Sequence, residues 1–571
     1  LQSNFKQKIC SFIFCYLLCC HAPLAAVKPP AFTLSGISGD VLANVQFRLT
    51  ELYQHKSIAY EPLEVIKTQV AQAMEPYGYF APQISISTNV EGNSFHIVII
   101  PGPQMRINHL SIKIQGEGAN NPEIVQTFKD LPLKEGDFFN NQLYEEAKDN
   151  LYSAAEHQGY LHSSFIKSEV LVDRSSYKAD IILIFDTGPQ YYFGQIQFDP
   201  TYISPELLNR YVPFKFGEPY STDQILALNS NLAASGYFNS VVVKPNTKEG
   251  TYVPVKVHLK RTERINYSLG IGYGTDTGPR GRAGLHIVPV NRSGHKFNAI
   301  IQGSFKQNAI LAQYLIPGKN PVTDNYAING SFSTLNYPVG YSNSLLFSLA
   351  QQHSKTNFQR VISLNALDER FSYEAFPFKR TKNALFPKAS FTWRAVEDQL
   401  FSPSGYNISL NALGASKAVL SDISFIEGTI DAKAALYLNP IRTRLYFHGE
   451  AAVTEISSIY DLPLSLAPLL GGAENLKAYS FNSIGPGKYL TFAGLEIQKE
   501  TFEKWYVVGF MDGGDVYNPS IKHFKYDAGV GLMWVSPVGP IKIGVAQAID
   551  QDFHRYKDRS PKLVINMGPD L

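Results

Sequence analysis

The sequence predicts two architectures in one chain: three α+β repeats of β-α-α-β-β order, then an all-β transmembrane barrel. Three observations carry this. A helix ending in Gly-Tyr recurs at Gly78-Tyr79, Gly159-Tyr160 and Gly236-Tyr237, at intervals of 81 and 77 residues. After about residue 262 the helical period gives way to runs of roughly ten residues in which apolar side chains alternate with small or polar ones. The 571 residues are 44% hydrophobic and 18% charged, and no apolar run of 18 or more follows the N-terminus, so any later membrane crossing must use strands.

Residues 1–26 read as a secretory signal peptide. Lys6 and Lys8 precede an apolar stretch from Ile9 to Cys20, and the following HAPLAA offers cleavage after Ala22, Ala25 or Ala26. A lipoprotein site at Cys19 or Cys20 is disfavoured, because the residue before the modified cysteine should be small. All four cysteines, Cys10, Cys15, Cys19 and Cys20, lie in this segment, so the mature chain is expected to have no disulfide, thiolate metal site or cysteine nucleophile. Removing Lys6 and Lys8 from 51 basic residues leaves 49 against 49 acidic ones. A neutral chain lacks the basic excess that a nucleic-acid partner requires, and none is expected.

The repeats carry further marks. Pro132-Leu-Lys-Glu-Gly136 corresponds to Pro213-Phe-Lys-Phe-Gly217, and Gly102-Pro103-Gln104 to Gly188-Pro189-Gln190. An interval near 80 marks repeated domains, since solenoid units are shorter. The predicted boundaries are 27–102, 103–188 and 189–262, with the barrel over 263–571. In the third repeat a strand is expected at about 191–198 and a short helix at about 205–212. Ser221 with Gln224 forms a capping-box start, Ile225, Leu228 and Leu232 share a helical face, and Gly236 supplies a positive-φ stop. Strands then follow at Asn239–Val243 and over Val253, Val255, Val257 and Leu259, where Pro254 predicts an edge position. Such a module buries one sheet face under two helices and leaves an edge that an extended peptide can join.

The barrel pattern is plain at both ends of the C-terminal half. Ile265, Tyr267, Leu269, Ile271 and Tyr273 alternate with Asn266, Ser268, Gly270, Gly272 and Gly274, and near the end Leu563, Ile565 and Met567 do likewise. The 309 residues after 262, at roughly ten per strand plus turns and loops, allow 14 to 20 strands. A soluble sandwich or propeller also alternates. The signal peptide, the 33 Tyr and 36 Phe, and the missing disulfides favour the barrel.

Three modules before a barrel resemble the TamA family (translocation and assembly module) of the BamA–TamA outer-membrane assembly superfamily, whose modules are called POTRA domains. YVPFKFGEPYSTDQILALNSNLAASGYFNSVVV at 211–243 is similar to the family's third POTRA domain. LGIGYGTDTGP at 269–279 resembles its first barrel strand and turn, GVGLMWVSPVGPIKIGVA at 529–546 its penultimate strands, and NMGPDL at 566–571 its ending. The resemblance implies 16 strands. It also implies a loop folded back into the lumen, ending in an aliphatic-Arg-Gly-aromatic tetrad. Here GGAENLKAYSFNSIGP at 471–486 matches around it, but the tetrad reads Leu476-Lys477-Ala478-Tyr479. Lys477 lacks the planar fork with which Arg grips two carboxylates. Ala478 lacks the positive-φ freedom of Gly. The implied acidic partners on the wall are Glu496 and Asp512.

The sequence offers no catalytic site, metal site or cofactor. Asp-Thr-Gly occurs at 186–188 and 276–278, but in unlike contexts and as ordinary turn chemistry, and no His-Glu-x-x-His, Gly-x-Ser-x-Gly or phosphate loop is present. The expected protein is a non-enzymatic outer-membrane insertase for autotransporter-type and other barrel proteins, with its POTRA domains in the periplasm. Its lateral gate is expected between the first and last strands, at Gly270, Gly272, Gly274, Asn566 and Gly568. Its partners, by resemblance, are a TamB-like protein anchored in the inner membrane, unfolded outer-membrane substrates and the bilayer, with possible phospholipid movement. A two-partner secretion transporter, which exports a soluble protein through its lumen, is the alternative; that family usually carries two POTRA modules and a plug helix.

Overall fold

The computed structural model describes residues 31–54, 62–88, 94–248, 250–275, 277–519, 524–537, 539–549, 560–568 and 571. The signal peptide and its cysteines, Asp276 of the second Asp-Thr-Gly, and Pro569 and Asp570 of the C-terminal signature lie outside them.

Three modules of the predicted β-α-α-β-β order precede the barrel. The first has strands Ala31–Ser35, Gln83–Thr88 and Ser94–Ile100, with helices Gly39–Gln54 and Leu63–Met74. The second has strands Arg106–Gln115, Ser164–Asp173 and Lys178–Asp186, with helices Pro122–Lys129 and Asn141–His157. The third has strands Tyr192–Phe198, Phe238–Pro245 and Tyr252–Arg261, with helices Pro205–Asn209 and Thr222–Ala234. In each sheet the last strand of the module is central and the other two are edges. Val45, Leu49, Ile66 and Val70 from the first module's helices meet Phe95, Ile97 and Ile99 from its central strand in one apolar core. The three Gly-Tyr marks terminate helical turns as expected, with φ of +84° at Gly78, +85° at Gly159 and +77° at Gly236.

Two local expectations fail in the third module. Gln224 Oε1 is buried without a hydrogen-bond partner, so the glutamine half of the expected capping box is not made. Pro254 lies in the central strand, not at an edge. Its missing N–H is tolerated because the ladder with the preceding strand ends at the Pro245–Val255 pair. On the other side Pro254 faces Gly194, where a Cβ would stand 2.9 Å from the proline nitrogen.

Sixteen antiparallel strands, each paired with its sequence neighbour, form the barrel from Ile265–Gly274 to Lys562–Met567. The period of two sorts the faces. Along strand Tyr489–Phe502, Leu490, Phe492, Glu496 and Gln498 are buried, whereas Leu495 and Ile497 are half exposed. An apolar outer band over a polar inner face is what lipid outside and a hydrated lumen inside require. Strands on the wall distant in sequence from both ends are long, 16 residues at Phe358–Tyr373 and 21 at Phe376–Val396, while the last strand pairs over only six.

Helical parts of the third module form one compact unit with the barrel. Tyr237 Oη donates to the carbonyl of Gly294 at 2.6 Å, and Lys296 Nζ donates to the carbonyl of Ser235 at 2.7 Å. Gly294 is required there, since its φ is +75° and a Cβ would collide with Leu207 and Tyr237. Burial, with Tyr211 alongside, pushes the Tyr237 hydroxyl far above its ordinary titration range, so it stays a donor.

Candidate functional site: the lumen loop and the open seam

Residues 457–488 connect strands Thr443–Ile456 and Tyr489–Phe502. They lie against the inner face of the wall on both flanks. Tyr373 Oη donates to the carbonyl of Leu462 at 2.8 Å, and the Ser465 N–H donates to Glu369 at 3.0 Å. Farther along, Leu470, Leu476 and Ile484 pack with the inward-facing Phe492, Phe510 and Met533. Leu470 and Ile484 exchange backbone hydrogen bonds of 3.0 Å in both directions, and the Gly471 N–H donates to Asn475 Oδ1 at 2.9 Å. Gly471 has a φ of +111° and a Cβ there would strike the Ser480 carbonyl, so the reversal needs glycine.

Lys477 sits at the tip of this fold-back, with 9% of its side chain exposed. Its Nζ lies 2.7 Å from Asp512 Oδ2 and 3.3 Å from Glu496 Oε1, and 4.7 Å from the centre of the Phe510 ring. Glu496 is shared, because Lys542 Nζ and Gln498 Nε2 donate to its Oε2 at 2.8 and 2.7 Å. Arg444, wholly buried, donates to Gln498 Oε1 at 2.8 Å. The Ala478 N–H donates to Asp527 Oδ2 at 2.7 Å. Asp512 and Asp527 face each other directly across their ladder. Lys477 and the carboxylates around it form a connected network, which offsets the cost of burying their charge only in part, because Asp512 Oδ1 and Asp527 Oδ1 are buried without a hydrogen-bond partner.

The seam is built differently. The first strand and the last are the two ends of the sixteen-stranded sheet, and among the described residues no ladder joins them. Across the gap the Ile565 N–H donates to Thr275 Oγ1 at 3.1 Å. The outer face of the first strand is bare, with Tyr267 77%, Leu269 87% and Ile271 98% exposed. Gly270, Gly272 and Asn566 line a lumen cavity of about 610 Å³, together with Arg280, Arg282 and Gln302.

Comparison with known proteins matches residues 291–568 to the Omp85 superfamily domain, residues 31–101 to POTRA domain TamA domain 1, and residues 191–261 to a POTRA domain described as a surface antigen variable number repeat. The chain belongs to the TamA-like family of the BamA–TamA superfamily. Among solved structures, BamA from Haemophilus ducreyi lacking POTRA domains 1–3 is similar at a TM-score of 0.66 and 16% identity, covering 81% of this chain and 99% of that one. CdiB from Acinetobacter baumannii gives a TM-score of 0.48 at 13% identity, covering 93% of this chain and 100% of that one. As a TamA-like Omp85 protein, the chain is an outer-membrane barrel with its POTRA domains in the periplasm.

In this TamA-like chain the tetrad and both acids drawn from the resemblance come together. Leu476, Ala478 and Tyr479 are buried in the apolar cluster beside Lys477. The expected cost of Ala478 does not arise. Its φ is not positive, unlike those of Gly471, Gly472 and Gly485, so the backbone there accepts a Cβ. Gly270 and Gly272 of the seam are not crowded either. Among the described residues no heavy atom lies within 4 Å of where a Cβ on Gly272 would stand, and a Cβ on Gly270 would meet only Arg282, at 4.0 Å. Gly568 has a φ of +133°, and there the glycine is needed for conformation. Asp186 of the first Asp-Thr-Gly accepts from the Gly188 N–H at 2.9 Å, which is turn chemistry.

Sequence reasoning missed Asp527, Lys542 and Arg444. A signal existed for the first. In strand Lys525–Ser536, Asp527 has the same parity as Met533, an inward position, and an acid there in a run of small and apolar residues marks a charge facing the lumen.

Proposed function

We propose that this protein is a β-barrel insertase that assists autotransporter-type and other outer-membrane proteins into the membrane through the gap between its first and last strands. The observation that carries the reading is the unpaired seam: two strand ends of one sheet meet with a single side-chain-mediated hydrogen bond among the described residues. An unpaired backbone is costly in lipid, so an incoming strand that pairs there replaces an unfavourable edge with a ladder. Gly270, Gly272 and Gly274 loosen the first strand, and Asn566 and Gly568 let the last one turn away. Lys477 with Glu496 and Asp512 holds the loop against the wall, a role opposite to that of the opening seam. The POTRA edges at Gln83–Thr88, Ser164–Asp173 and Phe238–Pro245 receive substrate or a TamB-like periplasmic partner by strand addition. The reaction involves no cofactor and no catalytic residue.

The test is a cysteine pair, one near Gly272 and one near Val564, in the mature chain. Substrate assembly in liposomes is followed with the disulfide formed and then reduced, with and without the periplasmic partner. Locking should stop insertion and reduction should restore it. Passage of a soluble substrate through locked protein would sink the proposal in favour of secretion through the lumen; three POTRA modules, one more than that family usually carries, argue against this outcome.

A further inference from the structure

We propose that the barrel lumen holds a divalent transition-metal site formed by Asp431, His448 and Glu450. These residues lie on the inner face of the neighbouring strands Phe425–Leu438 and Thr443–Ile456, and their ligand atoms all fall within 4.8 Å of one another. Asp431 and Glu450 are direct cross-strand partners. Two like charges in that position repel unless a positive group lies between them. His448 Nε2 occupies that place, 2.9 Å from Asp431 Oδ2 and 3.2 Å from Glu450 Oε1.

The other ring nitrogen decides what Nε2 can be. Nδ1 lies 3.1 Å from the backbone carbonyl of Glu474, which can only accept, so Nδ1 carries the hydrogen. In the neutral imidazole the Nε2 lone pair therefore points at two carboxylate oxygens. Three acceptors then converge, and either a second ring proton or a metal cation held between them satisfies all three. An Nδ1–H held by a main-chain carbonyl is also the arrangement that orients metal-bound histidines. The two separations from Nε2 are close to the roughly 3.3 Å between ligands placed about 2.0 Å from a tetrahedral zinc. The site opens on a lumen cavity of about 290 Å³, which leaves room for water as the remaining ligand. One imidazole with two carboxylates suits Zn²⁺ and its neighbours better than Ca²⁺ or Mg²⁺, which prefer all-oxygen sets. Because Glu474 belongs to the lumen loop, and Asn475 Nδ2 reaches Glu450 at 3.4 Å, a bound metal would join that loop to the wall at a second place.

The experiment is Zn²⁺ titration by calorimetry of the full barrel protein, purified without a histidine tag, in detergent at pH 7.5. Heat-modifiable gel migration confirms folding of each variant. One Zn²⁺ should bind per chain, and Asp431→Asn, Glu450→Gln and His448→Gln should each weaken it by about tenfold or more. Replacing Zn²⁺ with Co²⁺ should give visible absorption bands that the same variants lose. Equal binding by wild type and all three variants would place the metal on other histidines and overturn the proposal. Failure of folded wild type to bind at all would also overturn it, leaving a doubly protonated imidazole between the carboxylates.

Discussion

The lumen loop and the seam belong to one barrel, and they are held by opposite means. At the loop, Lys477 engages two carboxylates, Ala478 a third, and Leu476 and Tyr479 enter an apolar cluster that spans strands Tyr489–Phe502 to Lys562–Met567. At the seam one hydrogen bond crosses among the described residues, and Leu269 and Ile271 are 87% and 98% exposed. The difference shows where the protein concentrates its cohesive energy. A barrel that must open along one line needs the rest of its circumference, and whatever fills it, to stay fixed.

Four substitutions would break or sharpen this contrast. The largest effect is expected for Lys477→Met, which leaves Glu496 and Asp512 without their shared cation. Truncating one side of a buried pair costs about 3–5 kcal/mol, so thermal unfolding should occur at lower temperature and the loop should become protease-sensitive; an unchanged melting profile would show that the network does not hold the loop. Next is Gly568→Ala, at a φ of +133° that is nearly restricted to glycine. A cost of about 1–3 kcal/mol, read by denaturant unfolding in detergent, should accompany altered seam cross-linking.

A smaller effect, but one with a decisive sign, belongs to Ala478→Gly. If the tetrad needed positive φ, restoring glycine would stabilise the protein. The observed backbone predicts mild destabilisation instead, about 0.5–1 kcal/mol from added chain entropy. The smallest effect is expected at Thr275→Val, which removes the hydrogen bond to the Ile565 N–H. Stability should hardly change, because one exposed hydrogen bond contributes about 1 kcal/mol at most; a large loss would mean that the seam is not weak.

Much of this was legible in the residues. Gly78, Gly159 and Gly236 announced the modules because a positive-φ helix stop leaves a compositional mark. Ile265, Tyr267, Leu269 and Ile271 announced the barrel because lipid and lumen impose opposite chemistry at alternate positions. The strand number was not legible from pattern, since loops vary in length. Sixteen came from resemblance and is what the sheet contains. Lys477, Glu496 and Asp512 were found the same way. Asp527, Lys542 and His448 were not, because their meeting depends on the register between strands and on where the loop descends. Pro254 misled for a related reason: an edge is one way to excuse a missing N–H, and the end of a ladder within a central strand is another.

The uneven length of the strands bears on the bilayer itself. The last strand pairs over six residues. At a rise of about 3.3 Å per residue and a tilt of about 40°, this stretch stands roughly 15 Å tall, against an apolar band of about 25 Å in an ordinary outer-membrane barrel. Lipid beside it must compress to match, with a cost of fractions of a kcal/mol per Å of mismatch. Among the described residues the wall is thus lowest at this one strand, and hydrocarbon matched to it would be a thinner barrier to any polar segment that has to cross there.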